Sequence, residues 1–198
     1  MMRKLALALA FALTAGPVLA NPLAEALERG DGILCFARTY DAAWLKAHRG
    51  QTLREVTLAI SEDTDSNMLD MRLSLKAPGR SLYGFGGCWW ADGDINRGVQ
   101  NDILDPGFKP TSGVACHMVT DITGGSAEEG TEPNIDWRDG RTIEMHLGDS
   151  IAAWTSYDIR RPAKWHDLKA ADRIVRLHRV KPSECRQLTA KFAPNGLE

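Results

Sequence analysis

From Leu53 onward, apolar residues recur at every second position. Val56, Leu58 and Ile60 alternate with Thr57 and Ala59, and Leu69, Met71, Leu73 and Leu75 alternate with Asp70, Arg72 and Ser74. A period of two puts each set on one face of a pleated strand, and the turn-like SEDTDSN at 61–67 separates them as antiparallel neighbours. Val114, Cys116 and Met118 alternate in the same way, as do Ile143, Met145 and Leu147. Gly148-Asp149-Ser150 is read as a turn into a further strand at 151–157. The segment SLYGFGGCWW at 81–90 mixes aromatics with three glycines, which predicts bulging or close backbone approach within a strand. Residues 33–39 form a first strand carrying Cys35. Residues 173–180 fit neither period cleanly and are read as a final strand ended by Pro182. Seven or eight short strands with turns between them predict a mainly β fold, a small antiparallel β-barrel or sandwich.

Helical signals are few. Asn21-Pro22 offers a cap and a first-turn proline, Leu23 and Leu27 lie one turn apart, and Gly30 ends the segment. Asp41 caps a second short helix (DAAWLKAH), with Gly50 as its terminator. Twelve of the 18 glycines fall between 84 and 148, and the stretches 91–113 and 123–141 read as long linkers. The domain plan is therefore a leader at 1–20, an N-terminal helix and linker at 21–32, one β-rich domain at 33–190 and a loose tail at 191–198.

Residues 1–20 have the three parts of a secretory signal. Arg3 and Lys4 precede an apolar run of about ten residues, and Val18-Leu19-Ala20 offers a V-x-A cleavage site before Asn21. A bilayer span needs roughly 20 apolar residues, so a membrane-spanning helix is the poorer reading. The expectation is a periplasmic or secreted protein. Export changes the meaning of Cys35, Cys88, Cys116 and Cys185, because an even count in an oxidising compartment reads as disulfides. No C-x-x-C occurs, which disfavours a redox motif or a zinc knuckle. Three pairings are open. The nested one, Cys88–Cys116 inside Cys35–Cys185, is preferred because its outer bridge ties the ends of the domain together.

The overall charge balance is ordinary, 24 basic against 26 acidic groups, but its distribution is uneven. Residues 92–149 hold 12 acidic and 4 basic groups, whereas 159–191 hold 3 acidic and 10 basic. Either the two segments neutralise each other, or Arg160, Arg161 and Lys164 belong to a basic face for an anionic partner. Gly148-Asp149-Ser150-Ile151 has the letters of a GDS-type hydrolase start but sits late and lacks a downstream D-x-x-H. Asp63/Asp65/Asn67 and Asp92/Asp94/Asn96 have the spacing of the first calcium-loop ligands. Both lack glycine at the sixth position and glutamate at the twelfth, so no metal is expected. The five histidines show no i, i+2 or i, i+4 pair, no cofactor is implied, and no aromatic-basic nucleic-acid signature is present. Trp89, Trp90, Trp137 and Trp165 are candidate binding residues, since an aromatic beside a polar loop is a common anchor.

The segments CFARTYDAA at 35–43, Gly87-Cys88 and ADRIVRL at 171–177, with the late Cys185, resemble a group of uncharacterised exported bacterial β-rich proteins. That group has C-x-A-R-x-Y-D-A-A near the start, paired central cysteines and a D-R-x-x-R-L strand before a last cysteine. It has histidine where Trp44 stands here. The resemblance covers about 35–188 and implies a disulfide-stapled β domain without assigning an activity. The reading of the sequence is an exported, non-enzymatic binding or accessory protein of the envelope, inhibitor-like in kind. Its partner is a protein or an anionic envelope component. The alternatives are an envelope hydrolase whose site assembles only in the fold, and a structural or stress-protective envelope protein.

Overall fold

Period-two alternation becomes a barrel wall in the computed structural model of the chain, which describes residues 22–29, 32–62, 69–90, 113–121 and 131–191. Eight strands close a ring: β1 (Ile33–Thr39), β2 (Glu55–Glu62), β3 (Leu69–Ala77), β4 (Arg80–Trp90), β5 (Gly113–Met118), β6 (Asn134–Asp139), β7 (Thr142–His146) and β10 (Ile174–Val180). Their order around the ring is β1-β10-β7-β6-β5-β4-β3-β2, with every pair antiparallel. A separate two-stranded sheet, β8 (Ser150–Ala153) with β9 (Lys164–Asp167), is inserted before β10.

The alternating positions point inward as expected. Phe36, Leu58, Ile60, Met71, Leu73, Met145 and Leu177 are all fully buried. Eight strands enclose a lumen just wide enough for such side chains, so the interior is a packed core. Helix α1 (Pro22–Glu28) adds Leu23, Ala26 and Leu27 to that core. Its end is set by Gly32 at φ 72°, whose N–H donates to the Leu27 carbonyl at 3.1 Å, the left-handed cap that glycine permits. Helix α2 (Ala42–Ala47) starts as expected, with the Asp41 carboxylate accepting from the Trp44 N–H at 2.7 Å. Asp172, buried in the 3₁₀ turn Ala170–Asp172, accepts from the Thr52 and Leu53 N–H groups and from the Thr52 hydroxyl.

Both disulfides have the preferred nested pairing. Cys88–Cys116 lies inside the barrel between directly opposed residues of β4 and β5. Cys35–Cys185 joins the outer face of β1 to α3 (Pro182–Lys191), across a sequence separation of 150 residues. In the chain-entropy account the two loops correspond to roughly 3.5 and 5 kcal/mol.

Strand β10 ends at Val180, ahead of Pro182, as expected, and Pro182 then opens α3, preceded by a Lys181 N–H that donates to the Glu184 side chain. This is half of a capping box, with proline where its missing N–H is harmless. Lys191 is the last residue of α3, and 192–198 lie outside the described residues. The supposed linker at 123–141 contains β6, whose inward set is only Ile135 and Trp137, too short an alternation to register. The strand expected at 151–157 stops at Ala153, and β9 follows where none was expected. Gly148, at φ 75°, is in the expected turn into β8, a corner where the chain leaves the barrel wall, since β7 pairs with β6 and β10 and β8 pairs with β9.

The glycines of β4 do mark close backbone approach. A Cβ at Gly86 would occupy the position of the His117 carbonyl, and one at Gly84 would meet the Met118 methyl. β5 pairs with β4 only from Gly86 to Trp90 and then turns away, leaving the N-terminal half of that β4 edge open. Trp154 fills it, exchanging both backbone hydrogen bonds with Tyr83 at 2.8 Å, while the Val119 N–H donates to the Phe85 carbonyl at 2.8 Å.

Replacing Gly86 by alanine forces the β4–β5 crossing apart and is expected to destabilise the protein by about 2–3 kcal/mol in a urea titration. Gly140→Ala, where an added Cβ meets nothing within 4 Å, is expected to stay within about 0.5 kcal/mol of wild type. Equal midpoints for the two variants would contradict this account of the crossing.

Candidate functional site

Among the described residues the inward side chains pack against one another, and a polar cleft lies on the outer wall. There a second apolar cluster forms from Cys35, Ala59, Trp154, Ile159, Cys185 and Leu188, flanked by Tyr83, Phe85, Tyr157, Ala163 and Val180. It lies between the outside of β1–β4 on one side and α3 with residues 154–163 on the other. The Trp154 indole N–H donates to the Arg161 carbonyl, and the Ala163 N–H donates to the Thr120 carbonyl at 2.7 Å, which closes 154–163 into a loop. Trp154, Tyr157, Ile159 and Ala163 belong to the second core. Thr155, Ser156, Asp158, Arg161 and Pro162 line a cleft of roughly 190 Å³ together with Ala153, Trp154 and Lys164. One loop thus has an apolar side that anchors it and a polar side that faces solvent.

The charges of the cleft are divided unequally. Asp158 is committed to Arg160, whose Nε and Nη2 donate to it at 2.7 and 3.1 Å. That guanidinium holds the Asp158 carboxyl below its ordinary range, and the carboxylate in turn raises Arg160. Arg161 and Lys164 have no ion-pair partner among the described residues. Two cations without a salt bridge, Arg161 and Lys164, thus stand beside the Thr155 and Ser156 hydroxyls, while Arg160 and, more weakly, Arg161 act on the local carboxylate of Asp158.

Behind the loop, the Tyr157 and Tyr83 rings lie 4.0 Å apart, and the Lys191 ammonium sits 4.5 Å above the Tyr157 ring. Burial, reinforced by a hydrogen bond with Tyr83, pushes the Tyr157 phenol up to about 12. Charge is also balanced on the opposite wall. Glu144 accepts from Arg138 at 2.7 Å and Arg176 at 3.3 Å, with His146 Nε2 3.3 Å away. Burial works to raise the Glu144 carboxyl, but the hydrogen bonds from Arg138 and Arg176 outweigh it and hold the group below its usual range. Arg176–Glu144 and Arg173–Asp149, the latter at 2.6 Å, join the acidic and basic stretches of the sequence, so part of that asymmetry is neutralised within the fold.

The predicted binding residues separate. Arg161 and Lys164 meet in the cleft, and Arg160 lies beside them bound to Asp158. Trp165 is 56% exposed but alternates to the face of β9 opposite Lys164. Trp137 is only 5% exposed, edge-on to Phe36 inside the barrel, which makes it a core residue and not a surface anchor. Trp89 is half-buried on β4 opposite Ala115. Trp90 ends β4, and its side chain lies outside the described residues, as do Asp63, Asp65, Asn67, Asp92, Asp94 and Asn96. Among the described residues no group of three His, Cys, Asp or Glu side chains converges to hold a metal ion. Trp44 is stacked by His48 at 3.9 Å and approached by Arg38 at 4.4 Å, and its indole N–H donates to Gln51. The contributions of Trp154, Thr155, Ser156 and Tyr157 were hidden in the sequence by reading 151–157 as one strand. Comparison with family models, with curated proteins and with solved structures found no match.

The Tyr157 phenol carries a pH dependence with a definite sign. Its folded value lies above the ordinary value of 10, so its contribution is complete below pH 10 and is lost as the pH rises from 10 towards 12. Denaturation at pH 9 and pH 11 should show Tyr157→Phe losing less stability than wild type over that interval, by on the order of 1 kcal/mol for a partly exposed phenol. Identical losses would contradict the buried, hydrogen-bonded assignment.

Proposed function

We propose that this chain is an exported, periplasmic, non-enzymatic binding or accessory protein of the cell envelope that takes an anionic component at the 153–164 cleft. The observation that carries the reading is a pair of cations without a salt bridge among the described residues, Arg161 and Lys164, in a cleft whose own carboxylate is hydrogen-bonded by Arg160. Export is supported by the leader-like pattern of residues 1–20 and by the resemblance at 35–43, 87–88 and 171–177. The two disulfides fit an oxidising compartment, since they consume all four cysteines. No helix among the described residues is long and apolar enough to cross a membrane. On this reading the ligand sits on the wall, where the Thr155 and Ser156 hydroxyls and the Arg161 and Lys164 cations share the cleft with Ala153, Trp154 and Pro162, which suits one small charged group.

The test uses inorganic phosphate and glucose 1-phosphate as probes, with glucose as the uncharged control, followed by calorimetry. Both phosphate-bearing probes should bind and glucose should not. Loss of charge-assisted hydrogen bonds in Arg161→Gln/Lys164→Gln should weaken binding at least about tenfold, and added salt should weaken it in wild type. Binding that is equal in the double variant, or absent in wild type, contradicts the proposal.

A further inference from the structure

Helix α3 is attached to the barrel by very little. Of its ten residues only Cys185 and Leu188 are buried. A helix of that length is marginal by itself, so its seat depends on the Cys35–Cys185 bridge and one leucine. Those contacts reach the cleft. Leu188 shares the second core with Trp154 and Ile159, and Lys191, at the end of α3, covers the Tyr157 ring. Trp154, Tyr157 and Ile159 are the anchoring residues of the loop whose other side lines the cleft. The inner bridge, Cys88–Cys116, belongs to the barrel core, and the β1–β10 and β1–β2 ladders close the ring without α3.

From this arrangement we infer that the Cys35–Cys185 disulfide is a redox-sensitive strap for the cleft. With the bridge closed, α3 clamps the 154–163 loop in its anion-binding shape. With the bridge open, the strap lifts, the loop loosens and the anion is released. The inference rests on the cleft being the anion site. Both cysteines are buried while α3 is seated, so opening follows a local lift of α3 and then consumes an external dithiol: the Cys35–Cys185 S–S bond breaks, each sulfur ends as a thiol, and the dithiol supplies two electrons and two protons as it closes to its own disulfide. A loosened loop spends less time in the competent shape, and apparent affinity falls in proportion to that fraction.

The test compares wild type with Cys35→Ala/Cys185→Ala, in which the strap is open without free thiols. Affinity for inorganic phosphate is measured alongside amide hydrogen exchange at Trp154 and Ala163, whose N–H groups hold the loop to Tyr83 and Thr120. The variant should retain the Cys88–Cys116 bridge by mass and protected barrel strands. It should bind phosphate at least about tenfold more weakly and exchange those two amides at least about tenfold faster. Unchanged affinity with unchanged exchange overturns the strap while leaving the anion site standing, and so does faster exchange with unchanged affinity. Wild type that fails to bind phosphate removes the anion site, and with it the release step. In that case faster exchange supports the mechanical coupling alone, and unchanged exchange overturns it. Should the double variant fail to fold, Leu188→Ala with the bridge intact must shift affinity and exchange in the same directions, about two- to fivefold. No shift in that variant overturns the inference.

Discussion

The crossing of β5 over Gly86 is the constraint from which the outer architecture follows. The His117 backbone occupies the space of an absent Cβ, so only glycine fits β4 at Gly86, where the ladder with β5 that runs to Trp90 begins. Beyond that point the two strands diverge, and the Tyr83–Phe85 edge of β4 needs other partners for its N–H and C=O groups, because unpaired buried backbone is costly. Trp154 and Val119 supply them. Drawing Trp154 onto that edge brings the 154–163 loop against the barrel wall, and the loop in turn creates the cleft. A glycine inside the wall thus determines where a polar site exists outside it.

Two cores divide the work of the fold. The first is the lumen, where inward residues of eight strands pack at full burial and a buried disulfide joins β4 to β5. The second is thinner and lies outside, where small residues of β1 and β2, Cys35 and Ala59, let α3 and the loop come close to the wall. The lumen gives the domain its stability, and the outer layer gives the loop its shape. Local opening follows local contact density, so the outer layer is the part expected to move first. The covalent link at Cys35–Cys185 therefore sits where the non-covalent packing is least extensive.

Much of the barrel was legible in the sequence. The inward sets of β2, β3, β5 and β7 are apolar and their outward sets are small or polar, even where they are covered as at Ala59, Arg72 and Ala115, so a period of two records the core in residues such as Leu58, Met71 and Met145. Cysteine pairing was legible too, because only the nested arrangement ties the ends together. What was hidden has physical reasons. β6 has two inward residues, and β8 is buried on both sides, with Ile151, Ala152 and Ala153 all inaccessible, so neither alternates for long. Pro182 serves equally to end a strand or to begin a helix, and only the Glu184 side chain returning to the Lys181 N–H decides between them. The basic run at Arg160–Arg161 was visible as charge. Its division into an arginine hydrogen-bonded to Asp158 and one without a salt bridge among the described residues is a local contact that charge counting cannot resolve. The tryptophans gave no guidance, since Trp137 (between Asp136 and Arg138) and Trp165 (between Lys164 and His166) both sit among polar neighbours in sequence and have opposite fates in the fold.

The central claim is that ligand chemistry belongs to the outer loop and not to the lumen. Amide and methyl chemical shifts followed through a titration with glucose 1-phosphate test it most directly. The account predicts perturbations confined to residues 153–164 and their supports at Tyr83 and Thr120, with the methyls of Met71, Leu73 and Met145 unmoved. Perturbation of those lumen methyls with a silent loop would contradict it.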